Sequence, residues 1–308
     1  MSEREATVEA APDQGWKTAR ERGGVLGMRF VLWLTTAFGR GPARLFVRVL
    51  AFYYTVFAGG ARRTTAEFLQ RVEGRSSFSR VYLQILRFAQ VTLDSLFFVS
   101  GKIEPFELTR SGSEHLERLR ETGEGGILLG AHLGSMHALR ARGTQANMPV
   151  YAVVYTQHAE RINAVLREVN PDGQASLLQM GEGVDFMLRI KELIESGAII
   201  AILADRVGAD GRAVEADFFG ARARFPSGPY ILAAMLKCPV YLTFGLYRAP
   251  SRYDLYVEPF AERIVLPRKR RQEALSEYVQ AYAARLEHYV SMAPDNWFNF
   301  YDFWGKPT

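Results

Sequence analysis

Apolar and polar residues alternate along residues 102–308 in a pattern that predicts an α/β fold. Short continuous apolar stretches are typical of buried strands, and the stretches between them have the periodicity of amphipathic helices. The predicted strands are FELT, GGILLGAH, PVYAVVY, SLLQM, AIIAILAD, PVYLTFGLY and YDLYVEPF. The predicted helices are GSEHLERLRETG, LGSMHALRARG, AERINAVLREV, VDFMLRIKELIESG, PSGPYILAAMLK and QEALSEYVQAYAARLEHYV, and a loop is expected between AIIAILAD and FFG. We therefore expect one α/β domain, a single central mixed sheet flanked by helices.

The first part of the chain has a different pattern. Residues 1–15 are expected to be a mobile tail, without the layout of a signal peptide. Residues 16–101 are predicted to be helical, and the segments 28–38 and 43–59 are amphipathic but too short to span ~30 Å of hydrocarbon. One interpretation is an N-terminal membrane-docking element that lies in the interface with its arginines on lipid phosphates. The other is a set of core helices in a soluble domain, and composition does not separate the two.

Composition excludes several classes of protein. The one cysteine, Cys238, precludes an internal disulfide and is typical of a reducing, cytosol-facing location. Basic residues are concentrated in residues 15–50 and in RKRR at 268–271, where they would attract phosphates. No nucleic-acid recognition motif accompanies them, so no nucleic-acid partner is expected. No metal site is expected either, because His132 and His137 lack a third ligand in the sequence.

Two loops are candidates for chemistry, because ligands of α/β sheets bind beyond the carboxyl ends of strands. One is AHLGSMH after ILLG, and the other is ADRVGADG after AIIAIL. An imidazole at His132 could act as a general base near neutral pH. Gly134 would let the backbone turn and a substrate approach, and N–H groups at the following helix start, from Ser135 on, would hold an anion. The alternative for His132 is a histidine that only ties the loop together.

The second loop offers an anion clamp. The planar guanidinium of Arg206 is suited to phosphate, and Asp205 would hold Arg206 in place or serve the histidine. A structural Asp–Arg pair at a strand end is the plainer alternative.

The sequence resembles the bacterial lipid A late acyltransferases, within the lysophospholipid acyltransferase superfamily. The resemblance rests on GAHLGSMHALR, ILADRVGADG, VEADFFGARARFPSGPYILAAMLKCPVY and PDNWFNFYDFW, in that order. It implies an acyltransferase that moves a fatty acyl chain from an acyl-carrier-protein or coenzyme A thioester to a hydroxyl or amine of a lipid or glycolipid. It also implies a peripheral or monotopic protein at the cytoplasmic face of the bacterial inner membrane, with no cofactor. His132 matches the catalytic histidine, and Gly220 falls in the motif around the acyl channel.

One position departs from the family pattern, which has Asp or Glu five residues after the histidine. This sequence has His137, and a neutral histidine supplies no negative charge to an imidazolium. Either His137 acts as a weakened relay, or another acid such as Asp205 substitutes, or the protein is no longer an efficient acyltransferase. We expect retained acyl transfer. The alternatives are an impaired relative that acts as a lipid-binding or scaffold protein, and thioester hydrolysis without an acceptor.

Overall fold

The fold is described from a computed structural model, which covers residues 25–145, 149–154, 177–179, 181, 183–208 and 211–305. The predicted tail at residues 1–15 lies outside the described residues. So does the helix predicted at 159–169.

Four helices precede the sheet: α1 Val25–Phe38, α2 Arg40–Phe57, α3 Gly59–Glu73 and α4 Phe78–Val99. Helix α2 buries a row of small residues spaced four apart, which lets it pack closely against α4: Ala43, Val47, Ala51 and Thr55. Helix α3 lies within the region predicted to be helical, and it buries little more than Phe68 and Leu69. None of the helices within the described ranges is both long and apolar enough to cross a membrane.

Arginines of α2 are held by the rest of the protein. Arg40 donates from Nε and Nη2 to the two carboxylate oxygens of buried Asp94 at 2.8 and 2.7 Å. Arg44 donates to the carbonyl oxygen of Pro250 and to the hydroxyl of Tyr247, the latter at 3.0 Å. Arg40 and Arg44 are therefore bound within the protein, and docking of the segments 28–38 and 43–59 on a membrane stays a prediction.

Seven strands form one mixed sheet, which confirms the predicted α/β fold with a central mixed sheet. The strands are β1 Glu107–Ser111, β2 Gly126–Gly130, β3 Val150–Val154, β4 Leu177–Gln179, β5 Ile199–Leu203, β8 Val240–Arg248 and β9 Arg252–Ala261, in the order β1-β9-β8-β2-β5-β3-β4. Strand β2 is parallel to both of its neighbours, β5 and β8, whereas β8 and β9 form an antiparallel pair. The sheet is flanked by helices α5 Ser113–Thr122, α6 Met136–Gln145, α7 Val184–Glu195, α8 Gly228–Leu236 and α9 Arg271–Met292.

A two-stranded hairpin stands where a loop was expected before FFG. Strands β6 Ala213–Phe218 and β7 Ala221–Pro226 are antiparallel, and they are joined by Phe219 and Gly220 with φ of 49° and 72°. Buried and exposed residues alternate along β6, and its tip residue Phe218 is fully buried. The alternation of charged and apolar residues was the available signal for this hairpin.

Candidate functional site

The register of the sheet brings His132 and Asp205 together. Gly130 at the end of β2 pairs with Leu203 at the end of the adjacent parallel strand β5. His132 and Asp205 each lie two residues beyond that pair, and Ala204 N donates to the carbonyl oxygen of Gly130 at 2.9 Å. The two loops that the sequence singled out therefore form one site at the carboxyl edge of the sheet.

The side chains of His132 and Asp205 are in direct contact. The Nδ1 atom of His132 lies 2.8 Å from Asp205 Oδ1. The other carboxylate oxygen, Oδ2, accepts from the backbone N–H of His132 at 3.0 Å and from Trp297 Nε1 at 3.2 Å. The side chain of Asp205 is 2 % exposed, whereas that of His132 is 31 % exposed. The imidazole is thus bound at Nδ1 by a buried carboxylate, while about a third of the His132 side chain stays exposed.

The electrostatics of the pair make His132 a neutral base. Burial alone would raise the pKa of Asp205, but the charge and hydrogen bonds of His132, together with Arg206, lower it to about 2. Burial, and then the charge of Arg206, lower the pKa of His132 against the opposing effect of Asp205. At neutral pH the carboxylate is therefore ionised and the imidazole is neutral. An ionised carboxylate only accepts, so Nδ1 carries the proton and Nε2 is free to take one.

His137 lies apart from this contact. Helix α6 begins at Met136, so His132 precedes the helix and His137 lies in its first turn. Among the described residues, no hydrogen bond joins His132 to His137, and the partner of Nδ1 is Asp205. Burial, followed by the charge of Arg140, lowers the pKa of His137 to about 4. Of the three explanations for the departure from the family pattern, the geometry matches substitution by Asp205.

Gly134 and Ser135 build the loop. The N–H of Gly134 donates to the carbonyl oxygen of Asn296 at 2.9 Å, and the N–H of Ser135 donates to that of Gly245 at 2.7 Å. The Ser135 hydroxyl accepts from Ala138 N at 3.1 Å and so caps α6. Gly134 has a φ of +67°, and a Cβ there would lie 1.9 Å from the Gly245 oxygen. Both N–H groups are thus engaged within the protein, and contact of Gly134 and Ser135 with substrate stays a prediction.

Arg206 and Gly220 occupy different surroundings. Arg206 lies beside the pair, donates from Nη2 to the carbonyl oxygen of Phe298 at 2.8 Å, and stands over the ring of Tyr301 at 5.7 Å. The anion clamp at Arg206 stays a prediction. Gly220 forms the tip of the β6–β7 hairpin. A glycine suits this position because the backbone there is left-handed. Contact of Gly220 with substrate stays a prediction as well.

The C-terminal segment was missed as part of the site. Residues 296–298 run antiparallel to residues 132–134, with Phe298 N donating to the carbonyl oxygen of His132 at 2.9 Å. The carbonyl oxygen of Trp297 in turn accepts from Gln84 of α4 at 2.7 Å. The stretch PDNWFNFYDFW carried part of the family resemblance, but its run of aromatic residues was at least as consistent with packing in the core. The polar residues among them were the available signal of another role: Asp295, Asn296, Asn299 and Asp302.

A metal-binding group of three or more His, Cys, Asp or Glu side chains does not occur among the residues that the structure describes. A histidine oriented by a buried carboxylate, beyond the carboxyl ends of parallel strands, defines an α/β protein with a site suited to general-base chemistry.

The family model of the bacterial lipid A biosynthesis acyltransferases matches residues 30–306. The chain belongs to this family and is an acyltransferase. No curated protein matches the chain.

Proposed function

We propose that this acyltransferase moves a fatty acyl chain from an acyl-carrier-protein or coenzyme A thioester to a hydroxyl or amine of a lipid or glycolipid, with His132 as the general base. The observation that carries the proposal is the 2.8 Å contact between His132 Nδ1 and Asp205 Oδ1. It fixes the tautomer in which Nε2 can accept a proton, and it supplies the negative charge that the family's usual carboxylate would give.

The reaction is a proton transfer coupled to acyl substitution. His132 Nε2 takes the proton of the acceptor hydroxyl or amine while its oxygen or nitrogen attacks the thioester carbonyl carbon. The resulting imidazolium is stabilised by Asp205. The C–S bond then breaks, and the leaving thiolate takes the proton back from His132. Atoms and charge balance without a metal or redox cofactor.

The N-terminal helices supply a surface for the bilayer in this proposal. Large apolar side chains of α1 and α2 are more than half exposed: Trp33, Phe38, Leu45, Val49, Phe52, Tyr53 and Phe57. On α2 they lie opposite the row that packs on α4. Exposed apolar area of this kind favours an interface with lipid. We assign it to the cytoplasmic face of the bacterial inner membrane, as a peripheral or monotopic protein.

The proposal is tested by release of thiol from acyl carrier protein that carries a labelled acyl chain, in the presence of bacterial lipid extract. We expect the wild type to consume the donor and His132→Ala to lose at least about 10³-fold of the rate. His288→Ala is the matched control, since His288 is an exposed histidine on α9. The labelled product identifies the acceptor. A wild type that transfers no label in any lipid extract would refute the proposal.

Two other results would replace the proposal. Donor consumption that is independent of lipid extract would indicate a thioester hydrolase with the same base. Binding of lipid vesicles without any donor consumption would indicate the lipid-binding or scaffold role.

A further inference from the structure

We propose that Trp297 is a positioning residue of the catalytic pair, which holds Asp205 through its indole N–H so that the carboxylate faces His132. The inference rests on the proposed function, because it assigns a role in the base that the reaction would use. The indole N–H of Trp297 donates to Asp205, so Trp297 acts on His132 through the carboxylate.

The indole is held in place from several sides. Trp297 is fully buried, and its ring packs against Phe68, Phe218 and Phe303 with centroids 5.1, 5.3 and 4.8 Å away. Its main chain is fixed by the bridge to Leu133 and by the hydrogen bond from Gln84. The Nε1–H group therefore has one orientation, toward Asp205 Oδ2 at 3.2 Å.

This donor decides which carboxylate oxygen His132 meets. Oδ2 is held by two N–H groups, one from the His132 backbone and one from the indole, so Oδ1 remains for the imidazole. A buried ion with two fixed donors does not rotate cheaply, because rotation would break charged hydrogen bonds. Without the indole, one donor is left and the carboxylate is less firmly held.

The indole donor also affects when the pair takes up a proton. The positive end of the N–H dipole points at the pair. It therefore stabilises the state with ionised Asp205 and neutral His132 more than the state in which the pair has taken up one further proton. Removing it raises the apparent pKa of the pair. The other polar groups around the pair are Arg206, which follows β5, Tyr230 on α8, Tyr282 on α9, and Tyr301 in the C-terminal segment.

Trp297→Phe is the test variant, and Trp304→Phe is its matched control. Trp304 lies in the same aromatic cluster, and its Nε1 donates to the carbonyl oxygen of Phe218 at 3.1 Å, away from Asp205. Each change removes one indole N–H and replaces the two-ring indole by a smaller phenyl ring. If Trp297→Phe fails to fold by circular dichroism, site-specific incorporation of benzothienylalanine keeps the shape and removes only the N–H.

Two readouts are compared in the full-length protein. One is the pH profile of kcat/KM for thiol release, and the other is the titration of His132 by NMR with labelled histidine, assigned from the spectrum of His132→Gln. We expect the Trp297 variants to move both midpoints to higher pH by about one unit, which costs up to about threefold in rate at pH 7. Trp304→Phe should move neither midpoint.

Midpoints of the Trp297 variants that equal those of the wild type would overturn the inference, even if the rate falls, because a loss of packing alone lowers the rate without moving the titration. A wild type without acyl transfer would refute the proposed function only. The NMR titration still reports on the pair in that case: a shift specific to the Trp297 variants supports the inference, and no shift overturns it.

Discussion

Asp205→Asn separates the two candidate relays for His132. The Oδ2 position receives two N–H donors, from His132 N and Trp297 Nε1, so the amide oxygen of an asparagine would take that place. Its NH2 group would then face His132 Nδ1 at the former 2.8 Å contact. A donor there forces Nδ1 to accept, which puts the proton on Nε2 and removes the base.

The same change in a serine-protease triad costs about 10⁴-fold in turnover, and we expect a loss of about 10³- to 10⁴-fold here. That corresponds to about 4 to 5.5 kcal/mol of barrier. The His132 titration should also move to lower pH, because the charge and hydrogen bond of Asp205 raise the pKa of His132 and both are lost. Thiol release under single-turnover conditions across pH 5–9 measures both effects.

His137→Gln is the control for this experiment, and it should stay within about tenfold of the wild-type rate. A thermal melt of each variant checks that the fold is retained. If Asp205→Asn keeps wild-type activity while His137→Gln loses it, the relay is His137, and the reasoning from the contact geometry is refuted.

Three further changes test other parts of the structure. Burial and Arg140 hold the pKa of His137 at about 4 in the folded protein, so the unfolded chain alone takes up a proton there as pH falls below about 6.5; urea unfolding at pH 7 and 4.5 should show His137→Gln losing less stability than wild type, by about 2 kcal/mol. Gly134→Ala should cost at least about 10²-fold in activity, measured as thiol release, because its Cβ would displace the loop that carries the base. Arg40→Met should lower the free energy of unfolding by about 3 to 5 kcal/mol, because the buried Asp94 carboxylate loses both N–H donors of Arg40 and keeps the hydroxyl of Tyr253; Arg40→Met with Asp94→Leu and Tyr253→Phe should recover most of it in a denaturation cycle.

The sequence was sufficient to predict the strands of the central sheet and the two loops of the site. Continuous apolar runs identified β2 and β5, and the rule for strand ends selected the residues that follow them. The pairing of His132 with Asp205 depends on β2 and β5 being neighbours in register, although β3 and β4 come between them in the chain. That neighbour relation is a property of the whole sheet, so periodicity within one strand does not reveal it.

The part of the C-terminal segment in the site could not be predicted from the sequence for a related reason. Trp297 looks like any core aromatic residue in sequence, and only the antiparallel bridge between Leu133 and Trp297 brings its indole to Asp205. Conversely, Gly134 and Ser135 looked like ligand-binding positions because they follow a histidine at a strand end. Their N–H groups are used within the protein, since the loop is fixed by Asn296 and Gly245.

The N-terminal helices α3 and α4 pack against the C-terminal segment. Gln84 binds the carbonyl oxygen of Trp297, the ring of Phe68 packs on that of Trp297, and the ring of Phe88 packs on that of Phe298. A chain cut at residue 102 would lose these three contacts and leave the segment beside His132 with less support. We therefore expect a shortened version for assay or inhibitor screening to need α3 and α4.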